Sequence, residues 1–226
     1  MTTEIAISSW VGLIPLYAMA ILGIVGMSLY AFRHIPSVAK VTRAVNYTLL
    51  VRGAVWVRIG YAGLLSVLQY YAWANFGKMG ESFLNAPLGS SIPVPFIQQF
   101  PGLFNHPLGY FLFYSYGRFW LNALISLLVA WAFYKFLFVL KRYNGRFFEE
   151  GETELGYLMA LIVGWPAFTV FVPLIFVFVV LVSLFRLIVF KETLTTLGWA
   201  FICATLVASL YGNAFLSLLG WSALKI

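Results

Sequence analysis

Long apolar runs that alternate with short basic segments constrain the fold of this chain more than any other feature. One run, residues 155–190, is apolar over most of its length. A helix of roughly 20 apolar residues crosses a hydrocarbon core about 30 Å thick with its backbone polar groups satisfied internally. The runs lack the alternation that transmembrane barrel strands require. With 62% hydrophobic and 9% charged residues, the chain also departs from the composition of soluble domains. The sequence predicts an integral membrane protein of the all-α class.

About six helices are predicted from these runs, as a polytopic transmembrane bundle that forms a single domain, 1–226. The longest run is divided at Gly164-Trp165-Pro166, because glycine and proline interrupt helices. The predicted helices cover approximately residues 10–32, 55–74, 110–141, 148–164, 167–190 and 197–219.

The basic residues predict the orientation of the bundle. Cytoplasmic loops of membrane proteins are enriched in Lys and Arg. Three connecting segments contain ten of the 14 Lys and Arg residues, at positions 33, 40, 43, 52, 58, 141, 142, 146, 186 and 191. We expect these segments on the cytoplasmic side and the N-terminus outside. Because the positive charges are scattered in small groups, the net charge of +7 does not predict a nucleic-acid partner. The basic segment 33–58 would favour anionic membrane lipid, although topology explains its charges equally well.

Few side chains are available for metal or redox chemistry. Cys203 is the only cysteine, and His34 and His106 lie on different predicted loops. A disulfide within the chain is therefore excluded, a metal site is not expected, and no cofactor is predicted. The chain contains no aspartate, so any carboxylate chemistry must come from its seven glutamates.

Four of these glutamates, at positions 149, 150, 152 and 154, form an acidic segment at the start of the predicted fourth helix. One interpretation is a charged helix start, where free N–H groups and the helix dipole favour anions. Arg142 and Arg146 are near enough in sequence to neutralise it. The other interpretation is an acid–base site, because Glu150 and Glu154 share a helix face, and carboxyl groups near a membrane interface suit proton transfer.

The second half of the chain, residues 111–226, resembles the C-terminal half of the bacterial prepilin peptidases. These are membrane aspartic peptidases that cut the leader from type IV pilins. The segment "EEGETEL" stands where the family has Gly-x-Gly-Asp-x-Lys-Leu, "LIVGWP" matches a Leu-Gly-Trp turn, and "TTLGWAF" keeps Gly198 of the last family motif. The resemblance implies that Gly151, Glu154 and Gly198 line a substrate or partner site, and it implies a bacterial cytoplasmic (inner) membrane location.

The catalytic positions of the family are changed in this chain. Glu152 replaces one aspartate, and alignment of Ile35-Pro36 puts Leu29 at the other. An aspartic peptidase needs two carboxyl groups that share a water. A substitute catalytic pair of Glu152 and Glu192 is conceivable, because the starts of helices four and six would be neighbours in such a bundle.

We therefore predict a protein that resembles prepilin peptidase but is non-catalytic. It would bind a hydrophobic helix, such as a pilin-like segment, or act as a subunit of a membrane complex. The alternative is a membrane peptidase that uses glutamates in place of aspartates. A small-solute transporter is disfavoured, because the ionisable groups are predicted at helix ends rather than near the midplane.

Two further features leave alternatives open. Arg118 lies among aromatic residues near one end of the third helix, where it either reaches the interface or contacts an anion or lipid headgroup. The predicted exported loop 75–110, which completes the N-terminal half 1–110, is rich in proline and phenylalanine. It would be either a docking lid for a partner or an interfacial loop.

Overall fold

The computed structural model describes residues 2–33, 47–88, 102, 105–143, 148–189, 191 and 196–221, with side chains from residue 13 onward. The helices are α1 (Thr2–Ala31), α2 (Tyr47–Ala74), α3 (Gly77–Leu84), α4 (Gly109–Ser115), α5 (Leu121–Tyr143), α6 (Glu152–Val163), α7 (Phe168–Val189) and α8 (Gly198–Leu218). A π-helical turn, Tyr116–Trp120, joins α4 to α5 without a break. The described part of the chain contains no strand, and the predicted all-α class is confirmed.

Five helical segments are long and apolar enough to cross a membrane. They are Leu13–Ala31, Tyr47–Ala74, Gly109–Tyr143, Phe168–Val189 and Gly198–Leu218. The chain is therefore a multi-pass membrane protein by helix length and composition. The predicted break at Gly164-Trp165-Pro166 is confirmed, since α6 ends at Val163 and α7 begins at Phe168.

Two predicted helix boundaries are wrong. The second helix begins at Tyr47 rather than Val55, so Arg52 and Arg58 lie inside α2 instead of in a loop. The fourth helix, α6, has 12 residues. At about 1.5 Å per residue it is about 18 Å long, too short for a hydrocarbon core of about 30 Å. In addition, the predicted loop 75–110 contains the helix α3, while residues 89–101 and 103–104 of that loop lie outside the described chain.

The chain divides into two compact units, of which the first comprises residues 1–58 and 125–225. Its core is centred on α6, where Leu155, Leu158, Met159, Ala160 and Leu161 are completely buried. The helices α1, α7 and α8 all pack against α6. Most of the surface of α6 is thus covered by protein, which explains how a helix too short to span is retained among apolar neighbours.

Glycines allow the helices to approach α6 closely. A Cβ atom at Gly26 of α1 would lie 2.7 Å from the Leu158 side chain, and one at Gly156 of α6 would lie 2.6 Å from Leu137 and 3.0 Å from Phe201. Small residues at such crossings are typical of membrane helices, whose association depends on close packing.

The Gly156→Ala substitution is expected to destabilise the first unit. The added methyl group would push Leu137 of α5 and Phe201 of α8 away from α6, at a cost of about 1–3 kcal/mol. Unfolding by sodium dodecyl sulfate in detergent micelles measures the change. Gly60→Ala is the matched control, because a Cβ at Gly60 in α2 meets no atom within 4 Å. Equal stability of the two variants would contradict the assigned packing.

The second unit comprises residues 59–124. Ser66 of α2 accepts hydrogen bonds from the Ser115 hydroxyl (2.6 Å) and from the Trp120 indole N–H (3.0 Å), which tie α2 to α4 and the π-helical turn. The Trp73 ring lies 5.4 Å from Phe83 and 6.0 Å from Tyr110, in an aromatic cluster that joins α2, α3 and α4.

Candidate functional site

The carboxyl group of Glu152 lies at the centre of a polar network in the first unit. Glu152 is the first residue of α6 and is fully buried. Its Oε1 accepts hydrogen bonds from the Tyr30 hydroxyl of α1 (2.5 Å) and from the Gly198 backbone N–H of α8 (3.0 Å). Its Oε2 accepts the Glu149 backbone N–H (3.1 Å). One carboxyl group thus connects the ends of three helices.

The Tyr30 hydroxyl extends this network. Its single proton is donated to Glu152, so it accepts a hydrogen bond from Thr196, 3.1 Å away, and another from Arg33, at 3.2 Å. The Arg33 guanidinium lies 4.0 Å from the centroid of the Tyr30 ring and forms an ion pair with Glu149. These residues form what we call the Glu152 network: Tyr30, Arg33, Glu149, Glu152, Thr196 and Gly198. The part of the first unit in which they meet is called the Glu152 end.

Local backbone geometry places Glu152 in this position. Gly151 precedes the helix with a φ of 82°, in the left-handed region that favours glycine, and its Cα faces the Tyr47 ring at the start of α2. Gly198 begins α8 directly beside the Tyr30 ring, where a Cβ atom would collide with the phenol. Because Gly151 and Gly198 lack a Cβ atom, the Tyr47 and Tyr30 rings can lie close to the backbone at these positions. This close packing leaves the Glu152 carboxyl group within hydrogen-bonding distance of its partners.

The network changes the interpretation of the acidic segment. Glu152 accepts a local N–H, as expected of a residue at a helix start, but it also reaches α1 and α8. Glu149 forms an ion pair with Arg33, a partner that the sequence did not suggest. Neutralisation by Arg146 stays a prediction, because Arg146 lies outside the described residues. Glu154 is half-buried in the first turn of α6, and Glu150 is exposed.

The predicted site residues are only partly brought together. Glu152, Gly151 and Gly198 meet at the Glu152 end, and the expected proximity of the starts of helices four and six is confirmed by the Gly198 hydrogen bond. Glu192, the other half of the proposed catalytic pair, lies outside the described residues. Arg118 belongs to the second unit, where its side chain is exposed on the π-helical turn.

A second polar contact lies at the other end of α6. Arg58 donates hydrogen bonds from Nε (3.0 Å) and Nη2 (2.6 Å) to the Leu161 carbonyl, and from Nη2 (3.3 Å) to the Ile162 carbonyl. Arg58 lies about 16 Å along α2 from Tyr47, close to the length of α6. Arg58 therefore lies within α2 and not, as predicted from the sequence, in a connecting segment. The side of the membrane on which the basic segments lie stays a prediction.

Arg58 donates hydrogen bonds to the last carbonyls of α6, a helix that stops inside the bundle. Carbonyls in the last turn of a helix have no intrahelical partner, and none is supplied by lipid. Here Ala160 accepts the Gly164 N–H, and Arg58 serves the next two carbonyls. A positive charge at a helix C-terminus is also favoured by the dipole. Gly164, with a φ of 62°, leaves no room for a Cβ atom beside the guanidinium.

Polar groups of the turn after α6 also form hydrogen bonds within the first unit. The Trp165 N–H donates to the buried Ser126 hydroxyl of α5 (2.9 Å), and the Thr169 hydroxyl donates to the Pro166 carbonyl (2.9 Å). The Trp165 N–H and the last carbonyls of α6 thus find their partners within the first unit, whereas the buried Thr153 hydroxyl in the first turn of α6 has no hydrogen-bond partner among the described residues.

Sequence reasoning did not identify Tyr30 or Arg58. Tyr30 directly follows Leu29, the position aligned with the missing family aspartate, so the sequence pointed to the correct part of α1 but not to the side chain. Arg58 was grouped with topology charges, although it lies between apolar residues in "VWVRIGY". An arginine flanked by valine and isoleucine was the available signal for an internal position.

The fold and the network define a class: a multi-pass α-helical membrane protein with a buried carboxyl group that joins three helix ends. In the described ranges, no group of three or more His, Cys, Asp or Glu side chains is arranged to hold a metal ion. Comparisons with family models, curated proteins and solved structures find no match to the chain. The resemblance to prepilin peptidases therefore stays a prediction from the sequence.

Proposed function

We propose that this integral membrane protein is a non-catalytic relative of the prepilin peptidases that binds a hydrophobic transmembrane helix or acts as a subunit of a membrane complex. The observation that carries the proposal is the complete enclosure of Glu152. A catalytic carboxyl group must contact a water or a substrate at the reacting atoms. Both oxygens of Glu152 instead accept hydrogen bonds from the chain itself.

The partners of Glu152 support a structural role. Charge-assisted hydrogen bonds to a buried carboxyl group are stronger than neutral ones, and they fix the groups that they join. In the Glu152 network they hold α1, α6 and α8 in register at one end of the first unit. A scaffold with fixed helix ends presents constant lipid-facing surfaces, which is what recognition of a partner helix requires.

The internal position of Arg58 bears on the third class, a small-solute transporter. Transporters use interrupted helices and buried charges near the midplane to bind their substrates. The helix α6 is short, and Arg58 is a half-buried charge beside its end. Two of the three guanidinium nitrogens of Arg58, however, donate to the α6 carbonyls. This arrangement supports a structural cap, and the helix-binding function stays the proposal.

Co-expression with a type IV pilin precursor tests the non-catalytic part. We expect no removal of the leader peptide, with an authentic prepilin peptidase as the positive control for the substrate. Leader removal by the native chain that is lost in Glu152→Gln would overturn the proposal in favour of the glutamate-dependent peptidase. Membrane insertion of both forms is checked by protease accessibility, so that loss of cleavage is not confused with loss of the protein.

Site-specific photo-cross-linking tests the helix-binding part. A photoreactive residue is placed, one position at a time, at the exposed positions Val180 of α7, Leu210 of α8 and Val67 of α2. Specific binding of the hydrophobic helix of the precursor predicts cross-links from only one or two of the three positions. Absence of cross-links, or equal cross-linking from all three positions, would contradict specific binding.

A further inference from the structure

We propose that an apolar groove between α5, α7 and α8 binds one acyl chain of an anionic glycerophospholipid, with the lipid headgroup at Lys141. This site does not depend on the proposed function. The groove encloses about 500 Å³ within the first unit. Its walls include Phe133 and Phe136 of α5, Phe168 and Phe176 of α7, and Leu197 and Phe201 near the start of α8.

The groove opens on the lipid-facing surface. Three of its lining side chains, Leu128, Phe136 and Phe176, are 66%, 53% and 63% exposed. All of its lining residues are apolar. An occupant is therefore held by apolar contact along its length, as an acyl chain would be.

The length of the groove matches one leaflet. Its wall on α5 extends from Leu128 to Leu140, which is about 18 Å at the rise of an α-helix. Half of a hydrocarbon core is about 15 Å thick. A chain that enters from one headgroup region fills such a groove, whereas a transmembrane helix would continue across both leaflets.

A positive charge stands at one end of the groove. The α5 wall is built from pairs at four-residue intervals, Leu128/Val129, Ala132/Phe133 and Phe136/Leu137. The next pair in this series is Leu140/Lys141, of which Leu140 lines the groove. Lys141 follows it in the last turn of α5, where the spacing predicts that its side chain lies at the end of the groove.

One contact places this charge at the Glu152 end. Leu137 packs against Gly156, one turn into α6 from Glu152, so Lys141 lies about level with Glu152. In the part of the chain that the structure describes, the recorded salt bridge joins Arg33 to Glu149, and no acidic partner is recorded for Lys141. Its ammonium group is thus available to the phosphate of a lipid whose chain lies in the groove.

Charge complementarity selects an anionic headgroup over a zwitterionic one. A basic residue near an anionic membrane surface contributes about 1 kcal/mol, which corresponds to a factor of about five in affinity. We expect the purified protein to retain phosphatidylglycerol about fivefold more tightly than phosphatidylcholine with the same acyl chains. Native mass spectrometry during titration with each lipid measures the two affinities.

Two pairs of variants test the headgroup and the groove separately. Lys141→Gln should abolish the preference for phosphatidylglycerol, while Lys135→Gln, a change of the same charge on α5 but off the groove, should keep it. Lys135 lies over the Trp131 ring instead. Ala132→Trp fills the groove and should lower retention of both lipids several-fold. Val139→Trp, at a lipid-facing position outside the groove that is 64% exposed, should leave retention unchanged.

Several outcomes would overturn the proposal. They are equal retention of the two lipids by the native protein, equal effects of the Lys141 and Lys135 variants, and no effect of Ala132→Trp. A photoreactive residue at Phe136 provides an independent readout. A lipid adduct is expected there, and an adduct to a protein helix would replace the lipid by a partner chain as the occupant of the groove.

Discussion

Glu152→Ala is expected to lower the free energy of unfolding by about 3–4 kcal/mol, the largest loss among single changes at the Glu152 end. The substitution removes the acceptor for the Tyr30 hydroxyl and for the N–H groups of Gly198 and Glu149. Each donor left unpaired in a buried site costs about 1–3 kcal/mol, and the shortened side chain leaves a cavity as well. Sodium dodecyl sulfate titration of the protein in detergent micelles measures the loss.

Two variants separate the network from the mere presence of an acid. Glu152→Gln keeps one oxygen that accepts hydrogen bonds, but its amide NH2 group replaces the other oxygen and faces a hydrogen-bond donor of the protein. We therefore expect about half of the destabilisation caused by Glu152→Ala. Glu154→Gln removes a half-buried acid two positions later, for which no hydrogen bond is recorded among the described residues, and should change little. A loss for Glu154→Gln equal to that for Glu152→Gln would contradict the structural role of the network.

A double-mutant cycle with Tyr30→Phe isolates the contact between α1 and α6. Because Tyr30 and Glu152 share one hydrogen bond, their effects should be non-additive by about 1 kcal/mol or more. Tyr17→Phe, at an exposed position of the same helix, is the control and should be additive with Glu152→Ala.

Arg58→Leu is expected to destabilise the protein by about 3 kcal/mol through the opposite end of α6. Leucine fills part of the space but leaves the Leu161 and Ile162 carbonyls without donors among apolar neighbours. We expect α6 to fray from its C-terminus and the turn at residues 164–167 to lose protection. Detergent unfolding gives the free energy, and hydrogen exchange of the amides near Gly164 locates the change.

Two controls define what Arg58 supplies. Arg58→Lys keeps the charge but lacks the planar set of donors that serves two carbonyls at once, so an intermediate loss is expected. Arg52→Leu, at an exposed position of the same helix, should be nearly neutral. If Arg52→Leu and Arg58→Leu were equally destabilising, Arg58 would act only through general charge in α2 and not as the cap of α6.

Gly164 and Pro166 predicted the break between α6 and α7. Hydropathy was sufficient to predict the helical class, because each spanning helix must satisfy its own backbone in lipid and therefore has to be apolar. It could not predict the length of α6. Gly164-Trp165-Pro166 predicted where α6 ends, but its start was placed at Phe148, whereas the helix begins at Glu152. Gly151, with a φ of 82°, precedes the helix in the left-handed region, and hydropathy does not show that conformation.

Only part of the candidate site could be predicted from the sequence. Glu152 was identified because four glutamates before an apolar run are unusual, and Gly151 and Gly198 were found through family motifs. Their meeting with Tyr30 and Thr196 depends on how α1, α6 and α8 pack, a contact across 122 positions of the chain for Tyr30 and Glu152. Local sequence patterns contain no information about such distant pairs.

The short length of α6 has a consequence for how the protein is made. A segment of 12 residues is too short to leave the translocon as an independent spanning helix. We therefore expect α6 to enter the lipid together with α7, as one hairpin released after Phe190 has been synthesised. Because α2 is made earlier, its arginine is already in the bilayer when the hairpin arrives, and biogenesis itself brings the unpaired charge and the unpaired carbonyls together.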